Sequence, residues 1–321
     1  MNKVSAKSAE GETHSKLILV GEHAVVYGKP AIALPFPLKV KALIKESFGI
    51  IKFKSAIYTG PLEKMPGRMK GILECIKETL NTLDKPLEGL SIEIESAIPL
   101  GSGLGSSAAV ATAVVRGLFS FFHQKLSQKE LFYLVQIAEE YAHGKPSGID
   151  MAAVSSRHPI LFQKGKDITP LISEAPLFIA VAHTGRIGDT RRAVENVRKN
   201  YLKDGEKVKK SLDKIEEITD MAEKALLNGD INLLGKLLND NQQELIALGV
   251  SDNGLNALID TARSQGALGA KLTGGGLGGC IIALADNLEK AKVISKALMK
   301  AGALESWYFS TCQDTLYFPE R

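Results

Sequence analysis

The chain is 321 residues long, room for roughly two domains at about 150 residues each. Hydrophobic residues make up 45% and charged residues 24%, a balance that excludes intrinsic disorder for most of the chain. The 40 Lys and Arg exceed the 36 Asp and Glu by only four and are spread along the sequence; with aromatics at 6%, this is not the basic, ring-studded stripe of a nucleic-acid-binding surface.

Three cysteines, Cys75, Cys280 and Cys312, form no C-x-x-C pair and cannot close a full disulfide set. A reducing, cytoplasmic setting is the expectation. Met1 to Ser15 is polar and lacks an apolar stretch, so no signal peptide is expected. No apolar run reaches the about 18 residues that a membrane span needs.

In chain order, a strand is predicted at Leu17–Val20. Alternation of Val40, Ala42 and Ile44 with lysines predicts another over Leu38–Lys45. Ile50–Lys54 is expected to pair with it across a turn at Ser47–Gly49. Met69, Ile72, Ile76, Leu80 and Leu83 share one face of a helix placed at Met65–Leu83. A strand at Leu90–Ser96 precedes a helix at Ala108–Phe122, apolar enough to be buried on most sides. Ser127 to Glu130 has the form of a capping box opening a helix to about His143. Beyond Leu177, a strand to Ala182 is followed by helices at about Thr190–Tyr201, Glu206–Leu227, Ile231–Leu248 and Asn253–Gln265. Strands at Gly269–Thr273 and Cys280–Ala285, a helix at Leu288–Ala301 and a strand at Ser306–Cys312 complete the chain. The domain boundary is placed between about 160 and 180.

Two glycine clusters carry the chemistry. The first, Pro99-Leu100-Gly101-Ser102-Gly103-Leu104-Gly105-Ser106-Ser107, lies between a strand and a helix. Glycines let a backbone approach a ligand closely, and the free N–H groups of a helix start favour an anion. Phosphate binding fits better than a plain strand–helix connection. No Gly-Lys-Ser/Thr ends it, so it is not a Walker loop. The second cluster, Gly274 to Gly279, has five glycines in six positions. A strand follows it, not a helix, which rules out dinucleotide binding. A loop that brings its backbone to a ligand explains it better than a hairpin turn.

Elsewhere, Lys16 heads the first strand, and Glu22, His23 and Tyr27 follow its end. No spaced ligand set accompanies His23, so zinc is not expected. Glu139 and Glu140 close the capped helix; composition alone would leave both on a solvated face. The break at Gly144-Lys145-Pro146 can return Asp150 toward the same space. One or two carboxylates beside phosphate oxygens is a typical Mg²⁺ environment.

Lys16–Gly28, Pro99–Ala109 and Lys271–Cys280 together resemble, in order and spacing, the three signature motifs of the GHMP kinases, a superfamily named for galactokinase, homoserine kinase, mevalonate kinase and phosphomevalonate kinase. Gly21-Glu22-His23-Ala24-Val25-Val26-Tyr27-Gly28 and Pro146-Ser147-Gly148-Ile149-Asp150 resemble its mevalonate kinase branch, most of all the compact bacterial enzymes. Galactokinases carry an acidic residue where this chain has Val25. Many members open the first strand with Pro-Gly-Lys; here it is His14-Ser15-Lys16.

The resemblance implies an α+β fold of two domains: residues 1–175, like ribosomal protein S5 domain 2, and residues 176–321, ferredoxin-like with added helices. It implies an enzyme that uses ATP and Mg²⁺ to phosphorylate mevalonate on its primary hydroxyl, and a nucleotide lying across the domain cleft. Pro99, Leu100, Gly101, Ser102, Gly103, Leu104, Gly105, Ser106 and Ser107 match the phosphate loop. Ser107 and Glu139 match metal ligands, Asp150 a catalytic base and Lys16 the lysine beside it. Glu22, His23 and Thr190, with Thr184, match positions lining mevalonate. A homodimer is the implied assembly, with neither nucleic acid nor membrane as partner. Competing expectations are a phosphomevalonate kinase using Arg186, Arg191 and Arg192, a non-catalytic ligand sensor, and a nucleic-acid-binding module.

Overall fold

A computed structural model describes residues 7–144, 146–173, 175–313 and 315–319. Lys145, part of the break before Asp150, and the first six residues of the polar lead lie outside them. Two compact units form. One takes the chain up to Ser15, Leu38–Pro99 and Gly105–Ser155; the other takes Lys16–Pro37, Leu100–Leu104 and the chain from Ser156 onward.

The elements bearing on the first unit are β1 (Ser8–Val20), β2 (Ala31–Ile50), β3 (Lys52–Ser55), β4 (Tyr58–Pro61), α1 (Lys70–Thr82), β5 (Glu88–Ser96), α2 (Ser106–Phe121), α3 (Gln128–His143) and α4 (Ile149–Ser155). β1 and β2 each give residues to both units. Strand order runs β4-β3-β5-β2, with β1 on β2. β1 begins well before Leu17 because its polar residues form one face of a strand. Glu12 and Glu10 there bind Lys39 and Lys41 of β2, each at 2.8 Å.

The expected hairpin of Leu38–Lys45 with Ile50–Lys54 does not form. β2 runs on to Ile50, with a register shift between Glu46 and Ile50, and β5 lies between β2 and β3. β3 pairs instead with β4 and, in parallel, with β5. The helix expected from Met65 begins at Lys70, after two short 3-10 turns around Pro66. The capping box of α3 forms as read, Ser127 accepting from the Glu130 N–H and Glu130 from the Ser127 N–H. α4 was not foreseen.

Gly11 of β1 fixes α2 against the sheet. A Cβ there would stand 2.1 Å from the Ala113 carbonyl oxygen and 2.3 Å from the Gly117 nitrogen. Only a residue without a side chain allows that approach.

The second unit adds β6 (Ile160–Phe162), β7 (Thr169–Pro170), β8 (Phe178–His183), α5 (Thr190–Lys203), α6 (Gly205–Leu227), α7 (Ile231–Ala247), α8 (Asn253–Ser264), β9 (Gly269–Thr273), β10 (Cys280–Ala285), α9 (Leu288–Lys300), β11 (Glu305–Ser310) and β12 (Leu316–Tyr317). The start of β2 pairs with β6, and β6 with β7. A second sheet is antiparallel in the order β12-β11-β8-β10-β9. One face, through Ala180, Ala182, Ala270, Leu272, Ile281 and Ala283, buries the apolar stripes of α5 to α9. On the other face Phe36 packs against Trp307 and Phe309, ring centroids 5.9 and 5.2 Å away. β9 is an edge strand, and α7 covers it with amide side chains. Asn239 accepts from the Ala270 N–H at 3.1 Å and Gln242 from the Leu272 N–H at 3.0 Å. The edge is thereby satisfied without another strand, and β9 is held where it delivers Lys271 and Thr273. Among the described residues, no helix is long and apolar enough to cross a membrane.

Gly11→Ala tests the β1–α2 contact. Overpacking at such a site costs about 1–3 kcal/mol, so the urea midpoint should fall by that energy divided by the unfolding m-value. An unchanged midpoint would contradict the contact.

Candidate active site

In the first unit, Gly105, the last glycine of the first cluster, leads directly into α2. Gly105 precedes the helix at φ 77° and offers no side chain to cap it. The first N–H groups of α2, at Ser106 and Ser107, therefore form the positive end of a 16-residue helix. α3 and α4 pack on α2. Glu139 of α3 is buried rather than on the solvated face composition suggested, while Glu140 is exposed. His143, one turn on, stands 4.0 Å from the Glu139 carboxylate. Asp150 lies in the first turn of α4, half-buried, after Gly148 at φ 96°. The donors at Ser107 and Glu139 are hydroxyl and carboxylate oxygens, the hard ligands Mg²⁺ takes. Pro99 also falls in this unit, half-buried at the start of the loop.

The rest of that loop and the other two motifs lie in the second unit. The Lys16 ammonium donates to the Gly103 carbonyl at 3.1 Å, and the Lys16 N–H to the Leu104 carbonyl at 3.3 Å. Lys16 thus anchors the glycine loop from below while itself buried. The second glycine cluster meets the first backbone to backbone: a Cβ on Gly274 would stand 2.7 Å from the Gly103 carbonyl oxygen, and one on Gly279 2.9 Å from that of Ser102. Leu100 is exposed and Leu104 buried, and the Gly101 carbonyl accepts from the Gly188 N–H at 2.8 Å. Ser102 is buried, and its hydroxyl has no hydrogen-bond partner among the described residues.

Glu22 and His23 sit in the turn after β1. The Ala24 N–H donates to the Glu22 carbonyl at 2.7 Å across His23, whose φ is 62° and ψ −44°. That is a γ-turn of the rare positive-φ kind, strained by about 1–3 kcal/mol for a non-glycine residue. The His23 ring is buried, with Nε2 3.0 Å from the Gly275 carbonyl. A carbonyl only accepts, so Nε2 carries the proton and Nδ1 is the acceptor. Burial pushes the His23 pKa down to about 4, against the pull of that carbonyl, so the ring is neutral near pH 7. Thr190, the first residue of α5, touches Gly275 so closely that a Cβ there would stand 2.3 Å from its hydroxyl oxygen. His23, Gly275 and Thr190 are therefore neighbours. Thr184 is placed differently: its hydroxyl donates to the Gly279 carbonyl at 2.9 Å and secures the end of the glycine cluster.

Reading the sequence missed Lys271 as an individual residue. It is fully buried in β9 and paired with the Glu22 carboxylate. Its signal was legible, a lysine between Ala270 and Leu272 in an otherwise apolar strand.

Residues 68–157 match the family GHMP kinases N terminal domain, and residues 222–304 match GHMP kinases C terminal. A mevalonate kinase from Thermococcus sibiricus is 36% identical over 312 residues, covering 90% of this chain and 92% of that protein. The structure resembles that of L. major mevalonate kinase in complex with R-mevalonate, with a TM-score of 0.83 at 27% identity over 97% of this chain and 98% of that one. It also resembles mevalonate kinase from methicillin-resistant Staphylococcus aureus, with a TM-score of 0.69 at 33% identity over 94% of this chain and 98% of that one. Identity to the archaeal relative exceeds identity to this bacterial one, so the likeness is not particular to bacterial enzymes. On this identity and coverage, the chain belongs to the mevalonate kinase family of the GHMP kinases.

Proposed function

We propose that the protein transfers the γ-phosphoryl group of ATP to the primary hydroxyl of mevalonate, giving 5-phosphomevalonate and ADP in isoprenoid biosynthesis. The observation that carries phosphoryl transfer is the start of α2: an uncapped helix N-terminus with two hydroxyls, fed by a loop of three positive-φ glycines, Gly101, Gly103 and Gly105. The substrate follows from family membership and from the L. major complex, whose ligand is R-mevalonate.

In this reading Pro99–Ser107 seats the phosphates. N–H groups of the loop and of α2 stabilise their charge, and the buried Ser102 hydroxyl donates to a phosphate oxygen. Ser107 and Glu139 would hold Mg²⁺, which when bound neutralises charge on the transferred group. Asp150 accepts or orients the proton of the attacking hydroxyl. Lys16 supplies positive charge that favours the developing alkoxide. Glu22, His23 and Thr190 line the mevalonate side, with Thr184 supporting the glycine cluster beside them. Residues 1–175 carry the phosphate loop and catalytic groups; residues 176–321 carry the third motif and the substrate-side helices. We place the enzyme in the cytoplasm as a homodimer, a setting that suits three free cysteines.

ADP release with mevalonate, 5-phosphomevalonate, galactose and homoserine tests the reaction. Turnover on mevalonate alone is expected; preference for another alcohol would overturn the substrate. Asp150→Asn should lower kcat by about 10²- to 10⁴-fold while the ATP KM stays within a few-fold, and near-normal kcat would remove Asp150 from the chemistry.

The His23 ring stays neutral throughout the range from pH 6 to 8. The mevalonate KM should show no inflection attributable to it there. An inflection near 6.5 that disappears in His23→Gln would contradict the buried, neutral imidazole.

A further inference from the structure

Lys271 has no exposed surface and Glu22 has about 1%. The Lys271 ammonium donates to Glu22 Oε1 and, at 2.6 Å, to the Leu272 carbonyl. The second carboxylate oxygen, Glu22 Oε2, is buried and has no hydrogen-bond partner among the described residues. A buried carboxylate oxygen left without a donor is costly. Its turn also holds His23 in a strained conformation beside Gly275.

We infer that Lys271 is a positioning residue for the substrate: it anchors Glu22 through Oε1 so that Oε2 accepts a hydrogen bond from a substrate hydroxyl. This rests on the mevalonate kinase reading and deepens it. Mevalonate has hydroxyl groups and a carboxylate. A carboxylate would be repelled by Glu22, whereas an alcohol brings the donor that Oε2 lacks. Glu22 therefore reads the hydroxyl-bearing part of the molecule.

Two charged groups act on Glu22, Lys271 from β9 and Lys16 from β1; the His23 ring, next in the same turn, turns its Nε2 to the Gly275 carbonyl instead. Burial raises the Glu22 pKa, and Lys271, followed by Lys16, opposes that rise. Burial likewise lowers the Lys271 pKa against the pull of Glu22. His23 is neutral, so it does not contribute a charge near pH 7. Taking away the Lys271 cation removes the larger of the two cationic attractions that oppose this rise. The Glu22 pKa then moves further up.

The test is steady-state kinetics of the full-length enzyme on mevalonate from pH 6 to 9, for wild type, Lys271→Met, Glu22→Gln and the double variant. Lys271→Met should raise the mevalonate KM about 10- to 100-fold near pH 7, the range of one charge-assisted hydrogen bond, with a much smaller change in kcat. That KM should fall more steeply with rising pH than the wild-type KM does, because the Glu22 pKa, already raised by burial, is raised further. In the Glu22→Gln background, adding Lys271→Met should change KM little. The double variant also removes both buried charges together, so it keeps the comparison with Glu22→Gln available if Lys271→Met alone fails to fold. An equal KM penalty in both backgrounds, or a Lys271→Met profile parallel to wild type, would overturn the inference. Wild type inactive on mevalonate would instead overturn the substrate reading on which it rests.

Discussion

Two glycine-rich segments touch through their main chains alone. Gly274 lies on Gly103, and Gly279 on Ser102, at separations that leave no room for a Cβ. The second cluster is hemmed in elsewhere as well. Gly275 meets Thr190, and Gly276 meets Val250, where a Cβ would stand 2.2 Å from the carbonyl oxygen. A segment so enclosed is not a loose hairpin, whatever its composition suggests. Its glycines bring the loop, the first turn of α5 and residues Leu100–Leu104 of the first cluster into one small volume. Lys16 then fastens the loop through Gly103 and Leu104.

Electrostatics in the same unit follow from that packing. Two lysines, a glutamate and a histidine are all buried around the end of β1 and β9. The histidine gives up its charge, and the glutamate keeps a lysine partner. A buried pair of this kind rarely contributes much net stability, because desolvation offsets the attraction. Together with the strained turn at His23, its presence is better explained by what it holds in place than by what it adds to folding.

Much of this was legible from the residues. The capping box of α3 and the apolar body of α2 were read nearly to their ends, because local hydrogen bonding and uniform burial leave plain marks. Both glycine clusters were recognised because no ordinary turn needs so many glycines. The failures have physical causes. The polar half of β1 resembles an unstructured lead, yet Glu10 and Glu12 form ion pairs across to β2. Ser47–Gly49 resembles a hairpin turn, but β2 passes through it with a shift of register and β5 takes the place beside it. Glu139 is buried by helix packing that a count of charges does not register. Lys271 acquires meaning only through Glu22, 249 positions away in the sequence.

The seating of phosphates by a loop that main-chain packing holds in shape is the claim on which the functional account stands. Isothermal titration of a non-hydrolysable ATP analogue with Mg²⁺ into wild type and Gly274→Ala, both verified as folded by circular dichroism, tests it most directly. The methyl group would press on the Gly103 carbonyl from a residue at φ 83°. Affinity should fall by about tenfold or more, equivalent to at least about 1.4 kcal/mol. Equal affinity in a folded variant would show that the contact between the two glycine segments does not shape the nucleotide site.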